Sequence, residues 1–555
     1  MFTQANSEWH SPMPDGYKPG QVKYIVVLGT VMSGLGKGIF GGSLARVLQE
    51  RGLSVAPLKL EGYLNMDSGT LNPVRHGEVF VLDGGLECDM DLGNYERLLN
   101  VDLGEDNFVT SGQIFASVLK RERSGGYLGR DVQMVPHVTG EIKLRLRRLA
   151  TKSGADIVFI EIGGTVGDLE NGHYIEACRQ LAAEEGNVCF VALTYAPSPS
   201  SLGEQKSKPA QLGLRQLMSL GVMPDIIAVR SDHEVSRTVL EKLSLFGGVP
   251  LDRVFGMHDV KSVCLVPDMI RDAGLGKAVL KIFGLDAAKR SDRDAYAAMF
   301  RRTAATGKRV KIGIAGKYIS LRDAYASVLH ALEHAAVEAG VNVDVHWIDT
   351  ETIDDSNVAM ALSQADIDGL IVPGGFGLRG IGGKMACIRY ARDTLTPFLG
   401  MCYGFQMAII EFARNRCNLP ATSGEIDADS KCKVVDILPG QSPDRVGGTM
   451  RLGGHDVLLR PGTLASSLYL DAARCRQRFR HRYEMVPEYV SPLEEKGLVF
   501  SGSATDGTGT KQVFELPAHP FFLATQGHPE LTSRPSYPDP MFRGFMKAVL
   551  ERSQK

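Results

Sequence analysis

Short, unbroken apolar runs punctuate the first half of the chain: Tyr24-Ile25-Val26-Val27-Leu28, Asp156-Ile157-Val158-Phe159-Ile160, Val188-Cys189-Phe190-Val191-Ala192-Leu193 and Asp225-Ile226-Ile227-Ala228-Val229. A strand that is apolar at successive positions buries both faces. Helix-patterned segments between such runs predict a parallel sheet covered on both sides. This pattern extends from residue 22 to about residue 286. The charged stretch 289–309 carries no strand pattern and predicts a helix plus linker. A second α/β pattern then opens at Val310-Lys311-Ile312-Gly313-Ile314-Ala315-Gly316 and continues to about residue 550. The expected organisation is a flexible N-terminal tail (1–20), a first α/β domain (21–287), a linker (288–309), a second α/β domain (310–550) and a short C-terminal tail (551–555). No internal repeat or low-complexity tract interrupts it.

The chain has 555 residues, enough for roughly two to four domains with ample core. A formal net charge of -2, with dispersed lysines and arginines, speaks against a polyanion-binding surface and hence against nucleic acid as partner. No apolar run approaches the roughly 18 residues of a membrane span, and the polar start carries no hydrophobic signal core. The nine cysteines form no CxxC pair and no regular framework, as in a reducing cytoplasm where one thiol is free for chemistry.

Gly400-Met401-Cys402-Tyr403-Gly404 follows the apolar run Thr396-Pro397-Phe398-Leu399. It predicts a strand, a sharp turn and a helix. Such an elbow exposes a thiol at a helix N-terminus, where a thiolate is favoured. Alone, Cys402 would read as a buried structural cysteine. Gly527-His528-Pro529-Glu530 supplies a base for the thiol proton and a carboxylate to orient the imidazole, completing a Cys-His-Glu triad. With Pro373-Gly374-Gly375-Phe376-Gly377 upstream, the second domain reads as a glutamine amidotransferase.

In the first domain, Gly29-Thr30-Val31-Met32-Ser33-Gly34-Leu35-Gly36-Lys37-Gly38 directly follows the first apolar run. A glycine-rich turn ending in Gly-Lys and leading into a helix wraps phosphates, and the lysine neutralises their charge. Gly38 stands where the ordinary pattern has Ser or Thr. Lys59 ends the next expected strand, Asp89-Met90-Asp91 supplies carboxylates, and Glu161 ends another strand, at the sheet edge where ligands bind in open α/β folds. Asp91 and Glu161 are candidate ligands for Mg2+, which needs one or two carboxylates plus substrate phosphates.

These motifs resemble those of CTP synthases, over residues 21 to 547. The match includes His76-Gly77-Glu78-Val79-Phe80-Val81, Asp91-Leu92-Gly93-Asn94-Tyr95-Glu96-Arg97 and Glu161-Ile162-Gly163-Gly164-Thr165-Val166-Gly167-Asp168. It continues with Gly447-Gly448-Thr449-Met450-Arg451-Leu452-Gly453 and Arg480-His481-Arg482-Tyr483-Glu484. Several segments, such as Pro199–Lys206, look closer to eukaryotic than to bacterial members. The resemblance implies a P-loop-like, dethiobiotin-synthetase-like synthase domain joined to a class I glutamine amidotransferase domain. It implies ATP-dependent amination of UTP to CTP with ammonia from glutamine, through a 4-phosphorylated UTP. Ser33, Gly34, Leu35, Gly36, Lys37, Gly38 and Asp91 would meet ATP. Ser33, Lys59, Asp168, Glu170, Lys206, Lys208, Gln211, Lys242 and Phe246 would meet UTP or the inhibitor CTP. In the second domain, Cys402, His528 and Glu530 would be catalytic, with Gly374, Gly375 and Tyr403 at the oxyanion. Gly375, Gln406, Glu425 and Arg482 would hold glutamine. His76 would lie near the ammonia passage and the activator GTP. Homotetramers and filaments occur in such a family.

Departures are local. Lys-Leu-Asp-Pro-Tyr of the family is Lys59-Leu60-Glu61-Gly62-Tyr63, Lys-Pro-Thr-Gln is Lys208-Pro209-Ala210-Gln211, and an acidic pair is Asp83-Gly84. Cys-Leu-Gly-Met-Gln is Cys402-Tyr403-Gly404-Phe405-Gln406, Ser-Thr-Glu-Phe is Ser423-Gly424-Glu425-Ile426, and Gly527 replaces an aromatic. Two rival readings are a cobyrinic or cobyric acid amide synthase, and a catalytically diverged, filament-forming homologue.

Overall fold

The computed structural model describes residues 12–199, 203–286, 295–319, 321–438, 441 and 450–554. Residues 1–11 of the expected tail, 288–294 of the expected linker, 200–202, the Gly447-Gly448-Thr449 motif and Lys555 lie outside the described residues. The strands are β1 (Lys23–Gly29), β2 (Val55–Glu61), β3 (Val79–Val81), β4 (Glu87–Asp89), β5 (Phe108–Thr110), β6 (Ile157–Ile162), β7 (Val188–Tyr195), β8 (Ile226–Ser231) and β9 (Val254–His258). They continue with β10 (Arg309–Gly316), β11 (Asn342–Asp349), β12 (Gly369–Val372), β13 (Phe398–Met401), β14 (Thr422–Ser423), β15 (Lys433–Ile437) and β16 (Arg451–Leu459). The last are β17 (Arg474–His481), β18 (Tyr483–Met485), β19 (Val499–Ala504), β20 (Lys511–Glu515) and β21 (Phe522–Thr525).

The chain forms two compact units, one of residues 1–66 and 94–297, the other of residues 67–93 and 298–555. Among the described residues, the first unit carries a seven-stranded sheet in the order β5-β2-β6-β1-β7-β8-β9. Every pairing in it is parallel. The apolar runs are its central strands, with Tyr24, Val26, Ile160, Ala192 and Val229 sealed in one core. Burying each such aliphatic side chain contributes about 1.5–3 kcal/mol. Strand order reverses at β1, so the crevice beyond its carboxyl end lies at a topological switch point, and the glycine-rich loop emerges there.

The expected flexible tail is corrected in part. Residues 12–20 are tied to the first unit: the Tyr17 and Tyr24 hydroxyls lie 2.8 Å apart, and the Gly20 N–H donates to Glu185 at 2.9 Å. The Arg147 guanidinium sits 5.6 Å from the Tyr17 ring centre. An aromatic anchor with a satisfied hydroxyl is enough to hold an otherwise polar segment. The expected linker region contains a helix, Ala295–Thr306.

Among the described residues, the second unit carries a nine-stranded sheet, β11-β10-β12-β13-β21-β20-β19-β16-β17. The pairs from β11 to β21 are parallel, and those from β21 to β17 antiparallel. β14, β15 and β18 form a small separate sheet, and β3 and β4 form an antiparallel hairpin. That hairpin comes from the first half of the sequence and packs in the second unit. Three arginines at alternate positions of β17 grip it: Arg476 pairs with Asp83 at 2.7 Å, Arg478 donates to the Val81 carbonyl at 3.1 Å, and Arg480 pairs with Glu87 at 2.7 Å. Alternate strand residues share a face, which is why one strand presents all three to one segment.

Candidate active site

In the second unit, three neighbouring parallel strands deliver their carboxyl ends to one place. β12 runs into Pro373-Gly374-Gly375, β13 into Cys402 and β21 into His528. Cys402 precedes the helix Tyr403–Arg416 with φ 52° and ψ -101°, outside the conformations a cysteine ordinarily adopts. Its N–H is held by the Thr525 carbonyl at 2.8 Å, and its thiol faces the Arg480 carbonyl at 3.6 Å and the Gln526 amide at 3.7 Å. His528 Nδ1 lies 2.7 Å from Glu530 Oε1, which fixes the ring with Nε2 turned away from Glu530. Burial alone would depress the His528 imidazole, yet the Glu530 carboxylate and the Cys402 thiol push it up to about 10. Nucleophile–base pairs of this kind often close to hydrogen-bond distance only when substrate binds. Gly374 lies against both: a Cβ there would stand 2.9 Å from His528 Cε1 and 3.5 Å from Cys402 Cβ.

Cys402, His528, Glu530, Gly374 and Gly375 line one cavity of about 380 Å³. Gly69, Thr70, Leu71, Pro73 and Val79, from the segment 67–93, also line it. His76 ends the short helix Pro73–His76, is exposed and is not among the lining residues. Glu425 accepts the Gly377 N–H at 2.6 Å; burial raises its carboxyl above the ordinary range, against the opposing pull of Gly377, Lys317 and Arg482. Gln406 donates to the Tyr483 carbonyl at 3.0 Å, and Arg482 is buried. Sequence reasoning missed Lys317, which donates to the Phe376 carbonyl, and Arg480, whose guanidinium lies 5.2 Å from the Phe376 ring centre. The alternation of arginines in Arg474-Cys475-Arg476-Gln477-Arg478-Phe479-Arg480 was the available signal.

In the first unit, the glycine-rich loop leaves β1 and enters the helix Lys37–Gln49 through Gly36 at φ 76°, a left-handed turn that suits glycine. Lys37 donates to the Gly164 carbonyl at 2.8 Å; Ser33 and Gly34 are exposed, Leu35 and Gly38 buried. Lys59 and Glu161 form an ion pair at 2.7 Å, 4% and 0% exposed, and Tyr95 donates to the second Glu161 oxygen at 3.0 Å. Asp168 accepts the Thr165 N–H at 2.7 Å and is exposed, as is Glu170. Gly62, a departure from the family pattern, has a reason: a Cβ there would stand 2.9 Å from Glu170 Cβ. Lys206 pairs with Glu204, whose carboxylate that lysine, and more weakly Lys242, hold below its usual range. Gln211 bonds Ser207 at 3.0 Å, Lys208 opens the helix Lys208–Ser219, and Lys242 and Phe246 lie one turn apart on the helix Arg237–Gly247. Asp91 opens the helix Asp91–Leu99 and falls in the second unit, where its N–H bonds Asp89. No group of three metal-ligating side chains occurs among the described residues.

A second cavity, of about 270 Å³, opens beside the loop between Leu35, Phe40, Leu193, Met257 and Val263. Arg230 closes one side, donating to the Gly34 carbonyl at 3.0 Å and pairing with Asp259 at 3.0 Å. Leu35 was a candidate from the sequence; Arg230, Met257, Asp259 and Val263 were missed. Arg230 and Met257 stand next to the last residues of β8 and β9, and Asp259 and Val263 follow β9, where the sheet topology would have pointed once strand order was known.

Comparison with known proteins finds matches to both halves of the chain. A model described as the CTP synthase N-terminus matches residues 23–285, and one for class-I glutamine amidotransferases matches residues 320–548. A CTP synthase of Thermococcus gammatolerans is 46% identical over 534 residues, covering 96% of this chain and 99% of its own. One of Pyrococcus furiosus is 44% identical over 537 residues, with the same shares. Among solved structures, the glutaminase domain of a Trypanosoma brucei CTPS with bound acivicin is 33% identical, covers 44% of this chain and 94% of its own, and has a TM-score of 0.41. No helix among the described residues is long and apolar enough to cross a membrane.

Proposed function

The chain belongs to the CTP synthase family and aminates UTP to CTP with glutamine as nitrogen source, and from that premise we propose how its residues divide the work. In the second unit the Cys402 thiolate attacks the glutamine side-chain amide, and the N–H groups of the Gly374–Gly375 loop and of Tyr403 receive the oxyanion. Losing one such donor typically costs about 2.7–4 kcal/mol. His528 passes a proton to the departing nitrogen, leaving ammonia and a γ-glutamyl thioester that water hydrolyses to glutamate. Glu530 holds the imidazole in the right tautomer. Arg482 suits the α-carboxylate of glutamine, while Gln406 and Glu425 shape the site around its α-ammonium.

In the first unit ATP phosphorylates the 4-oxygen of UTP, and ammonia displaces phosphate from the same carbon. Transfer of this kind rests on positioning and charge neutralisation. Lys37 meets the phosphates of ATP, with the Arg230 cavity holding its base. Lys59, Lys206, Lys208 and Gln211 meet UTP, with Lys242 and Phe246 as further nucleotide contacts and Asp168 and Glu170 toward CTP. Members of the family use Mg2+; the Glu161 carboxylate, a hard oxygen donor at the end of β6, fits it, and the ion would neutralise phosphate charge there. The finer expectations belong to the same reading: GTP as activator with His76 nearby, CTP as inhibitor, a cytoplasmic homotetramer and filaments.

The observation that carries the reading is the convergence of Cys402, His528 and Glu530 on one cavity at the ends of adjacent strands. The test is CTP formation by the full chain from UTP and ATP, with glutamine or ammonium and with or without GTP. Turnover with either nitrogen source, dependent on both nucleotides, is expected. Activity without UTP, on a corrinoid acid, or no turnover at all would overturn it.

A further inference from the structure

The loop after β12 is held at two successive peptides, on either side of Gly377. The Glu425 carboxylate accepts its N–H at 2.6 Å, and the Tyr403 hydroxyl donates to its carbonyl at 2.9 Å. The Phe376 carbonyl, in the same peptide as the Gly377 N–H, accepts from the Lys317 ammonium, while Tyr403 holds the next peptide. Tyr403 is the first residue of the helix that Cys402 enters, so its bond fastens the loop to the same rigid element that carries the nucleophile. The phenol is 2% exposed, and the Lys384 ammonium lies 5.4 Å from its ring centre. Burial drives the Tyr403 hydroxyl well above its ordinary range, so it remains a donor at any working pH. The family pattern has leucine here, which offers no such donor.

We propose that the side chain of Tyr403 is a positioning residue for glutamine hydrolysis: it holds the Gly377–Leu378 peptide, as Lys317 and Glu425 hold the Phe376–Gly377 peptide before it, and so fixes the loop's oxyanion-binding N–H groups relative to Cys402. The inference rests on the assignment of Cys402 as nucleophile and of this loop as oxyanion donor. Without the Tyr403 bond the Gly377–Leu378 peptide can rotate, and a small rotation carried along the loop displaces the neighbouring N–H groups from where charge develops. Glutamine itself places little charge there, so the loss falls on the transition state rather than on binding.

Tyr403→Phe in the full chain removes the hydroxyl and keeps the ring, the packing against Lys384 and the backbone N–H. Its glutamine-dependent kcat is expected to fall roughly ten- to a hundredfold, with KM for glutamine shifted less than about threefold. CTP formation from ammonium should be unchanged. Alkylation of Cys402 by iodoacetamide should keep its rate, because displacement at that carbon develops no oxyanion. An unchanged kcat would overturn the inference. So would parallel losses with glutamine and ammonium, or a parallel loss of alkylation, since these mark general damage rather than a misplaced loop. Cys402→Ala serves as the control for the underlying assignment: if it keeps glutamine-dependent activity, that assignment fails, whatever Tyr403→Phe does.

Discussion

Lys384 stands 1% exposed on the helix Ile381–Asp393, above the Tyr403 ring. Burial, reinforced by the nearby charge of Lys317, lowers its ammonium to about 7. The unfolded chain therefore binds this proton more tightly than the folded one between about pH 7 and the ordinary lysine range near 10.5. In that window the lysine's cost to stability shrinks as pH rises; below it the cost is felt in full. Lys384→Met keeps the volume and removes the charge. It should raise the melting temperature most at pH 6–7, with the gain fading toward pH 10; a gain independent of pH would contradict the shift. Residues of this kind were not legible in the sequence. Cys402 and His528-Pro529-Glu530 announce themselves through their neighbours, because an elbow and a dyad are local. The phenol of Tyr403, the ammonium of Lys317 and the carboxylate of Glu425 meet on one loop only after the chain has folded.

At the scale of elements, the grip of β17 on the segment 67–93 decides what walls the glutaminase cavity. Its arginines are not equivalent. Arg476 and Asp83 are solvent-accessible, and exposed ion pairs contribute at most about 1 kcal/mol. Arg478 is 1% exposed, donates to the Val81 carbonyl and lies 5.4 Å from the Phe80 ring centre. Arg478→Met should destabilise the second unit by about 2–4 kcal/mol, leaving a buried carbonyl unpaired. Arg476→Ala should cost about 1 kcal/mol or less. Equal costs in denaturant unfolding would contradict this division. The strands themselves were legible, since continuous apolar runs such as β1 and β7 bury both faces. Their neighbours were not. Pairing of β3 and β4 with the second unit depends on Asp83 and Glu87, which in the sequence look like any solvated loop acids.

Across the whole molecule, the chain is two-domain α/β, the class that alternating apolar runs predict, and the family models match residues 23–285 and 320–548. Composition excludes little beyond that, and the antiparallel edge β20-β19-β16-β17 has no signature in it. Chain order and spatial grouping part company at residues 67–93, which lie within the first family match and yet form part of the cavity holding Cys402. The central claim is that one part of the protein releases nitrogen and another consumes it. Cys402→Ala tests it most directly, with CTP formation measured from glutamine and from ammonium under the same UTP and ATP. The account predicts that the glutamine-dependent rate disappears while the ammonium-dependent rate stays near wild type; equal loss of both, or survival of the glutamine-dependent rate, would contradict it.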